Sequence, residues 1–171
     1  MGSDSDLSVM QEAAAVLEQF GVEYEITVAS AHRSPERAAT YAREAAEKGL
    51  DVIIAGAGGA AHLAGVMAAG TILPIIAVPL ASSPLAGFDA LLSSVQMPPG
   101  VPVATVSVGP WGARNAGLLA VQIIARREPR LREALARHKE EMAAAVERKA
   151  AAMAKERSPK PGGGRPERTP R

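Results

Sequence analysis

Apolar residues along this chain follow two rhythms. Leu7, Met10, Ala14, Leu17 and Phe20 recur at the spacing of a helix face, and Gly21 follows them as a stop. Val22–Ala29 alternates apolar and polar positions and predicts a strand. Ser34 can cap and Pro35 can start a second helix, Pro35–Lys48, which Gly49 ends. Asp51–Ala55, Ile75–Pro79 and Val103–Val108 are short apolar runs, as expected of strands buried on both faces of a parallel sheet. Between them lie a glycine loop, Gly56–His62, leading into a short helix, and a helix from Gly87 to Gln96 that ends before Met97-Pro98-Pro99-Gly100. An Ala/Leu-rich helix spans Gly112–Arg126, and a long helix runs from Pro129 to about Lys155.

Strands alternating with helices predict an α/β fold, a doubly wound and mostly parallel sheet with helices on both faces. Residues 1–157 read as a single domain. Residues 158–171 are rich in Pro, Gly and Arg and predict a disordered tail. A basic tail can touch RNA, although a solvated end is the simpler reading. The loop Gly2–Asp6 is of the kind that follows a strand, yet no strand precedes it. Either the fold does without that strand, or the natural start lies upstream.

Composition narrows the chemistry. Of 171 residues, 47% are hydrophobic but only 3% aromatic, so the core is aliphatic and there is no base-stacking platform. The net charge of +1 gives no electrostatic argument for nucleic acid. Cysteine is absent, which removes thiol nucleophiles and thiolate metal sites and is compatible with a cytoplasmic protein. The histidines, His32, His62 and His138, are not spaced as a zinc motif, and no lysine lies in a glycine-rich turn. No apolar run reaches membrane-spanning length. Any catalysis must therefore run on imidazole, guanidinium, carboxylate, hydroxyl and backbone amides, with no cofactor expected.

Three turns carry such groups. Ser30-Ala31-His32-Arg33-Ser34-Pro35 sets an imidazole, which titrates near neutral pH, beside a guanidinium that can hold an anion. A helix-capping turn would explain the serines alone, but the pair is joined by two further polar or glycine-bearing turns. Gly56–His62 fits neither the dinucleotide nor the Walker pattern. Its small residues serve either close helix–strand packing or close approach of backbone amides to a ligand. His62 is equally a ligand contact or a polar residue at a helix start. Gly2-Ser3-Asp4-Ser5-Asp6 holds more capping side chains than one helix uses. Ser82-Ser83-Pro84 forms a lip after a strand, and Trp111 and His138 have packing and solvated roles.

These motifs, Met1-Gly-Ser-Asp-Ser-Asp6, Ser30-Ala-His-Arg-Ser-Pro35, Ile54-Ala-Gly-Ala-Gly-Gly-Ala-Ala-His-Leu63, Leu92-Ser-Ser-Val-Gln-Met-Pro98 and Gly112-Ala-Arg-Asn-Ala116, resemble the PurE family in order and spacing over about residues 1 to 130. That family comprises N5-carboxyaminoimidazole ribonucleotide mutases and phosphoribosylaminoimidazole carboxylases of purine (IMP) biosynthesis. The resemblance implies a flavodoxin-like three-layer αβα sandwich, a homo-octamer with sites near subunit contacts, a long C-terminal helix packed on neighbours, and a cytoplasmic isomerase. It implies His32 as general acid/base, Arg33 toward the substrate phosphate, and Ser3 and Asp6 toward the ribose-phosphate side. Ser30, Gly58, His62 and Leu63 would wall the imidazole and the migrating carboxylate. The family's strand ahead of Gly2–Asp6 has no counterpart here. Alternatives are a direct carboxylase using CO2, a related carboxylase of nicotinic acid adenine dinucleotide, and a non-catalytic nucleotide-binding module.

Overall fold

The computed structural model describes residues 1–157, so the predicted tail lies outside the described residues. A short 3-10 turn, Asp4–Asp6, leads into α1 (Leu7–Gln19). Then follow α2 (Pro35–Glu44), β1 (Ile53–Gly58), α3 (Leu63–Gly70), β2 (Ile75–Leu80), α4 (Phe88–Val95), β3 (Ala104–Thr105), α5 (Pro110–Ile124) and α6 (Pro129–Arg157). Two compact units are present, residues 1–132 and 133 onward; over the described residues the second is the continuation of α6.

The three strands form a parallel sheet in the order β1-β2-β3, with Ile53 opposite Ile75 and Ile76 opposite Ala104. Side chains alternate across it. Ile53, Ala55, Ile75 and Ala77 pack with Ala38 and Ala42 of α2 and with Leu63, Ala64 and Met67 of α3. Gly56 faces the other way, against Met10 of α1, which in turn packs on α5. The sheet is thus enclosed between helical layers, and all six residues of β2 are buried. Arg130 closes the end of α1, its guanidinium donating to the carbonyls of Phe20 (2.9 Å) and Gly21 (3.3 Å). Carbonyls left over at a helix C-terminus take cationic donors in this way.

Three predicted elements differ. Val22–Ala29 is not a strand. Its backbone pairs with Met1, whose amine donates to Thr27 O (3.0 Å) and whose carbonyl accepts from Ala29 N–H (2.9 Å). A groove of about 460 Å3 otherwise runs between it and the chain around β1, and alternation without a partner's hydrogen bonds makes no ladder. Arg37 fastens the segment instead, donating to Val28 O (2.7 Å) and Thr27 Oγ1 (3.0 Å). The run Val103–Val108 pairs only at Ala104–Thr105. Pro79 accounts for the stop: its carbonyl accepts from Gly109 N–H on the β3 side (2.9 Å), but its ring nitrogen has no hydrogen to return. The second helix ends at Glu44, four residues early, in turns that lead to Gly49.

Candidate active site

Three turns converge at the end of the sheet where β1 and β2 finish, the edge at which open α/β sheets bind ligands. Ser3, Asp6, Ser30, His32, Arg33, Gly58, His62 and Leu63 all line one cavity of about 400 Å3 there. The larger groove beside Val22–Ala29 is lined mainly by apolar side chains and by the start of β1.

The first turn is fastened to β1, with Gly2 N–H donating to Gly56 O (3.0 Å). Ser3 N–H donates to Asp6 Oδ2 (3.0 Å), and Ser3 Oγ donates to Asp4 Oδ1 (3.0 Å). Asp6 is buried, and that burial raises its carboxyl above the ordinary value, against the Ser3 N–H bond and the nearby Met1 amine. Asp4 is exposed, and the Ser3 hydroxyl holds its carboxyl below the ordinary value. One turn therefore carries two carboxylates in opposite environments.

The second turn is braced by its serines. Ser34 Oγ accepts from Ser30 N–H (3.0 Å), and Ser30 Oγ accepts from Arg33 N–H (3.2 Å). This hydroxyl lattice fixes the backbone from which His32 and Arg33 project. Arg33 Nη2 donates to Gly2 O (3.0 Å), tying the second turn to the first. A guanidinium has five N–H donors, so this bond leaves capacity for an anion.

The third turn leaves β1 at Gly58. A Cβ there would stand 1.7 Å from Ser82 Oγ and 3.1 Å from Leu80 O, so only glycine fits between the ends of β1 and β2. The loop is held from outside by Ser93 of α4, whose Oγ accepts from Ala61 N–H (3.0 Å) and donates to Asp89 O (2.8 Å). His62 then starts α3, and its ring reaches His32, with Nδ1 2.9 Å from Nε2. Leu63 is buried beneath.

The cavity is also lined by Gly2, Ser5, Ala31, Ala57, Ala60 and Ser82. Sequence reading places Ser82 only in a lip after a strand, and its packing on Gly58 depends on the β1–β2 register. The role of Gly2 O as acceptor for Arg33 is a backbone role with no side-chain signal. Among the described residues, no three His, Cys, Asp or Glu side chains cluster as metal ligands.

The arrangement suits a small anionic molecule: a guanidinium at one wall, hydroxyls and a carboxylate at another, small residues between, and two imidazoles for proton transfer. A family model described as AIR carboxylase matches residues 1–145. The chain belongs to the AIR carboxylase family. An N5-carboxyaminoimidazole ribonucleotide mutase of Pyrococcus horikoshii is 58% identical over 150 residues, covering 88% of this chain and 84% of that one. The mutase of Thermotoga maritima is 54% identical over 150 residues, covering 88% and 86%. The crystal structure of Treponema denticola PurE superposes with a TM-score of 0.79 at 30% identity, covering 89% of this chain and 94% of that one. The AIR carboxylase family fold here is the flavodoxin-like α/β sandwich, with a helical C-terminus.

Proposed function

We propose that His32 performs the proton transfers of an N5-carboxyaminoimidazole ribonucleotide mutase. The chain acts in purine biosynthesis as this mutase, moving a carboxylate from the exocyclic nitrogen of the aminoimidazole to ring carbon C4. The observation that supports the assignment to His32 is its convergence with Arg33, Asp6 and the glycine loop on one cavity.

The chemistry follows from what the bonds require. The exocyclic N–C bond breaks as its electron pair takes a proton from the His32 imidazolium, releasing CO2 and the free amine. C4 then attacks the CO2 carbon and a C–C bond forms. The proton left on C4 returns to His32, and the rearomatised ring carries the carboxylate. Protons balance over the cycle, and a single group works in both directions. Imidazole suits this alternation because its ordinary pKa, about 6.5, lies near working pH. Walls of Gly and Ala confine CO2 beside C4, so recapture is effectively intramolecular. Arg33 holds the phosphate, and Ser3 and Asp6 hold the ribose-phosphate side. Ser30, Gly58, His62 and Leu63 wall the imidazole and the carboxylate.

The working particle in this reading is a homo-octamer in the cytoplasm. Support for assembly comes from α4, whose Phe88, Leu92 and Val95 share one exposed face. No helix among the described residues is long and apolar enough to cross a membrane.

The test is turnover of N5-carboxyaminoimidazole ribonucleotide, run beside aminoimidazole ribonucleotide with bicarbonate. The mutase converts the first rapidly. Activity with the second pair alone overturns the reading in favour of the direct carboxylase. His32→Asn lowers kcat by about 10²- to 10⁴-fold, the usual contribution of a positioned acid–base group, with substrate binding retained; a near-wild-type rate removes His32 from the proton steps.

A further inference from the structure

A group that gives and takes protons at two different atoms needs a fixed ring and a fixed tautomer. The contact most often used for this is a carboxylate or a carbonyl on the second ring nitrogen. Among the described residues, neither contacts the His32 ring. In the same cavity Asp6 Oδ2 accepts from Ser3 N–H, and Arg33 donates to Gly2 O. The His32 ring meets His62 instead, with Nε2 and Nδ1 2.9 Å apart and the rings edge to face at 75°.

His62 is well placed to act as a post. Its N–H donates to Ala60 O (2.8 Å), and its carbonyl accepts from Val66 N–H (3.0 Å) in the first turn of α3. Its neighbours are held on both sides, Ala61 by Ser93 and Leu63 by burial. The partner ring therefore stands on backbone anchored independently of the Ser30–Pro35 turn.

We propose that His62 is a positioning residue for the reaction, holding the His32 ring and fixing its tautomer through the Nδ1···Nε2 contact. This rests on the assignment of His32 as the acid/base. An N···N separation of 2.9 Å accommodates one hydrogen between the rings. The imidazolium that delivers the proton carries a hydrogen on each ring nitrogen, so His32 Nε2–H donates and His62 Nδ1 accepts. After that delivery His32 keeps its hydrogen on Nε2, and its Nδ1 is the atom that takes the C4 proton. The orientation of His32 is thus set before substrate arrives, which removes a rotational search from each proton step.

The substitution test uses side-chain geometry. Asparagine places a polar atom where histidine has Nδ1, whereas glutamine places one near Nε2. His62→Asn therefore keeps a partner for His32, while His62→Gln and His62→Ala do not. The expected result is a kcat lower by about 10- to 100-fold in the Gln and Ala variants, a part of what a positioned acid–base group contributes, with KM within about threefold of wild type. His62→Asn recovers about tenfold of that loss. The ring 15N shifts of His32 report one tautomer in the wild type and in His62→Asn, and a mixture in His62→Ala. Circular dichroism checks that each variant folds, and the Asn–Gln comparison survives if the Ala variant does not. A rise in KM with kcat intact, or equal kcat in Asn and Gln, overturns the proposal and leaves His62 a substrate contact. Full activity of His32→Asn instead overturns the acid/base assignment, so the two failures are distinguishable.

Discussion

Asp6 meets two demands that oppose each other. Its Oδ2 accepts the Ser3 N–H and shapes the first turn, yet it lies buried, and burial disfavours the charged form enough to raise its carboxyl above the ordinary value. A raised folded-state pKa means that the folded protein binds this proton more tightly than the unfolded chain does. Stability from this group therefore rises as pH falls through the folded pKa and levels off below the unfolded value. Asp6→Asn keeps an acceptor for Ser3 N–H and removes the charge. The variant is expected to melt slightly higher than wild type at pH 7, with the difference vanishing as pH falls through the carboxylate range, and to bind substrate more weakly. Thermal melts at pH 7 and at pH 3.5 check the sign; a lower melting temperature at pH 7 removes the desolvation argument. Arg33 is the complementary case. It is exposed and bonded to Gly2 O, so its removal costs little stability. Arg33→Ala is expected to raise KM for the phosphorylated substrate by at least about tenfold, since hydrogen bonds to charged groups contribute about 1.5–3 kcal/mol, while kcat falls less. An unchanged KM takes Arg33 out of the phosphate site.

At the scale of elements, the turns were more legible than the strands. Ser30–Pro35 announces itself because capping serines and a first-turn proline are local signals, and the structure uses both serines as bracing acceptors. The eight expected site residues share a cavity because each sits on a turn at the same end of the sheet. Val22–Ala29 shows the limit of local reading: its pattern is that of a strand, but a strand is a relation between two segments. Pro79 teaches the same lesson from the other side, since a proline in a buried apolar run does not reveal which neighbour will lose its donor. The α1–α5 contact is likewise invisible in either helix alone. Gly117 lies where α5 meets α1, and a Cβ there would stand 2.9 Å from both Ala13 O and Val16 Cβ. A backbone oxygen cannot swing aside as a side chain can. Gly117→Val is therefore expected to cost about 1–3 kcal/mol, the usual range for overpacking a close contact, read as a lower urea midpoint with an unchanged slope. Its KM stays near wild type, because α5 contributes no side chain to the cavity. A midpoint equal to wild type contradicts the close approach of α1 and α5.

For the molecule as a whole, the decisive surface is the outer side of α4. Phe88, Leu92 and Val95 are 62%, 43% and 50% exposed and recur at helical spacing, so they form one apolar face. The inner side of the same helix buries Ala90 and Ser94 and presents Ser93 to the glycine loop. A contact on the outer side would thus stiffen the element that holds Ala61, next to His62 and the proposed proton chemistry. In the proposed assembly, such a contact would couple catalysis to association through the eight residues of α4. The 17.6 kDa chain is expected to elute as a particle several times its own mass, and light scattering gives the number of copies directly. Replacing Phe88 and Leu92 together by Glu places charges on the face and is expected to shift the particle to smaller species. Because α4 then loses the support of a neighbouring copy, kcat/KM is expected to fall with the mass, although no substituted side chain lines the cavity. A dissociated variant with full activity would uncouple the two. An unshifted mass would mean that the contact between copies lies on another face, and the exposed stripe of α4 would need a different explanation.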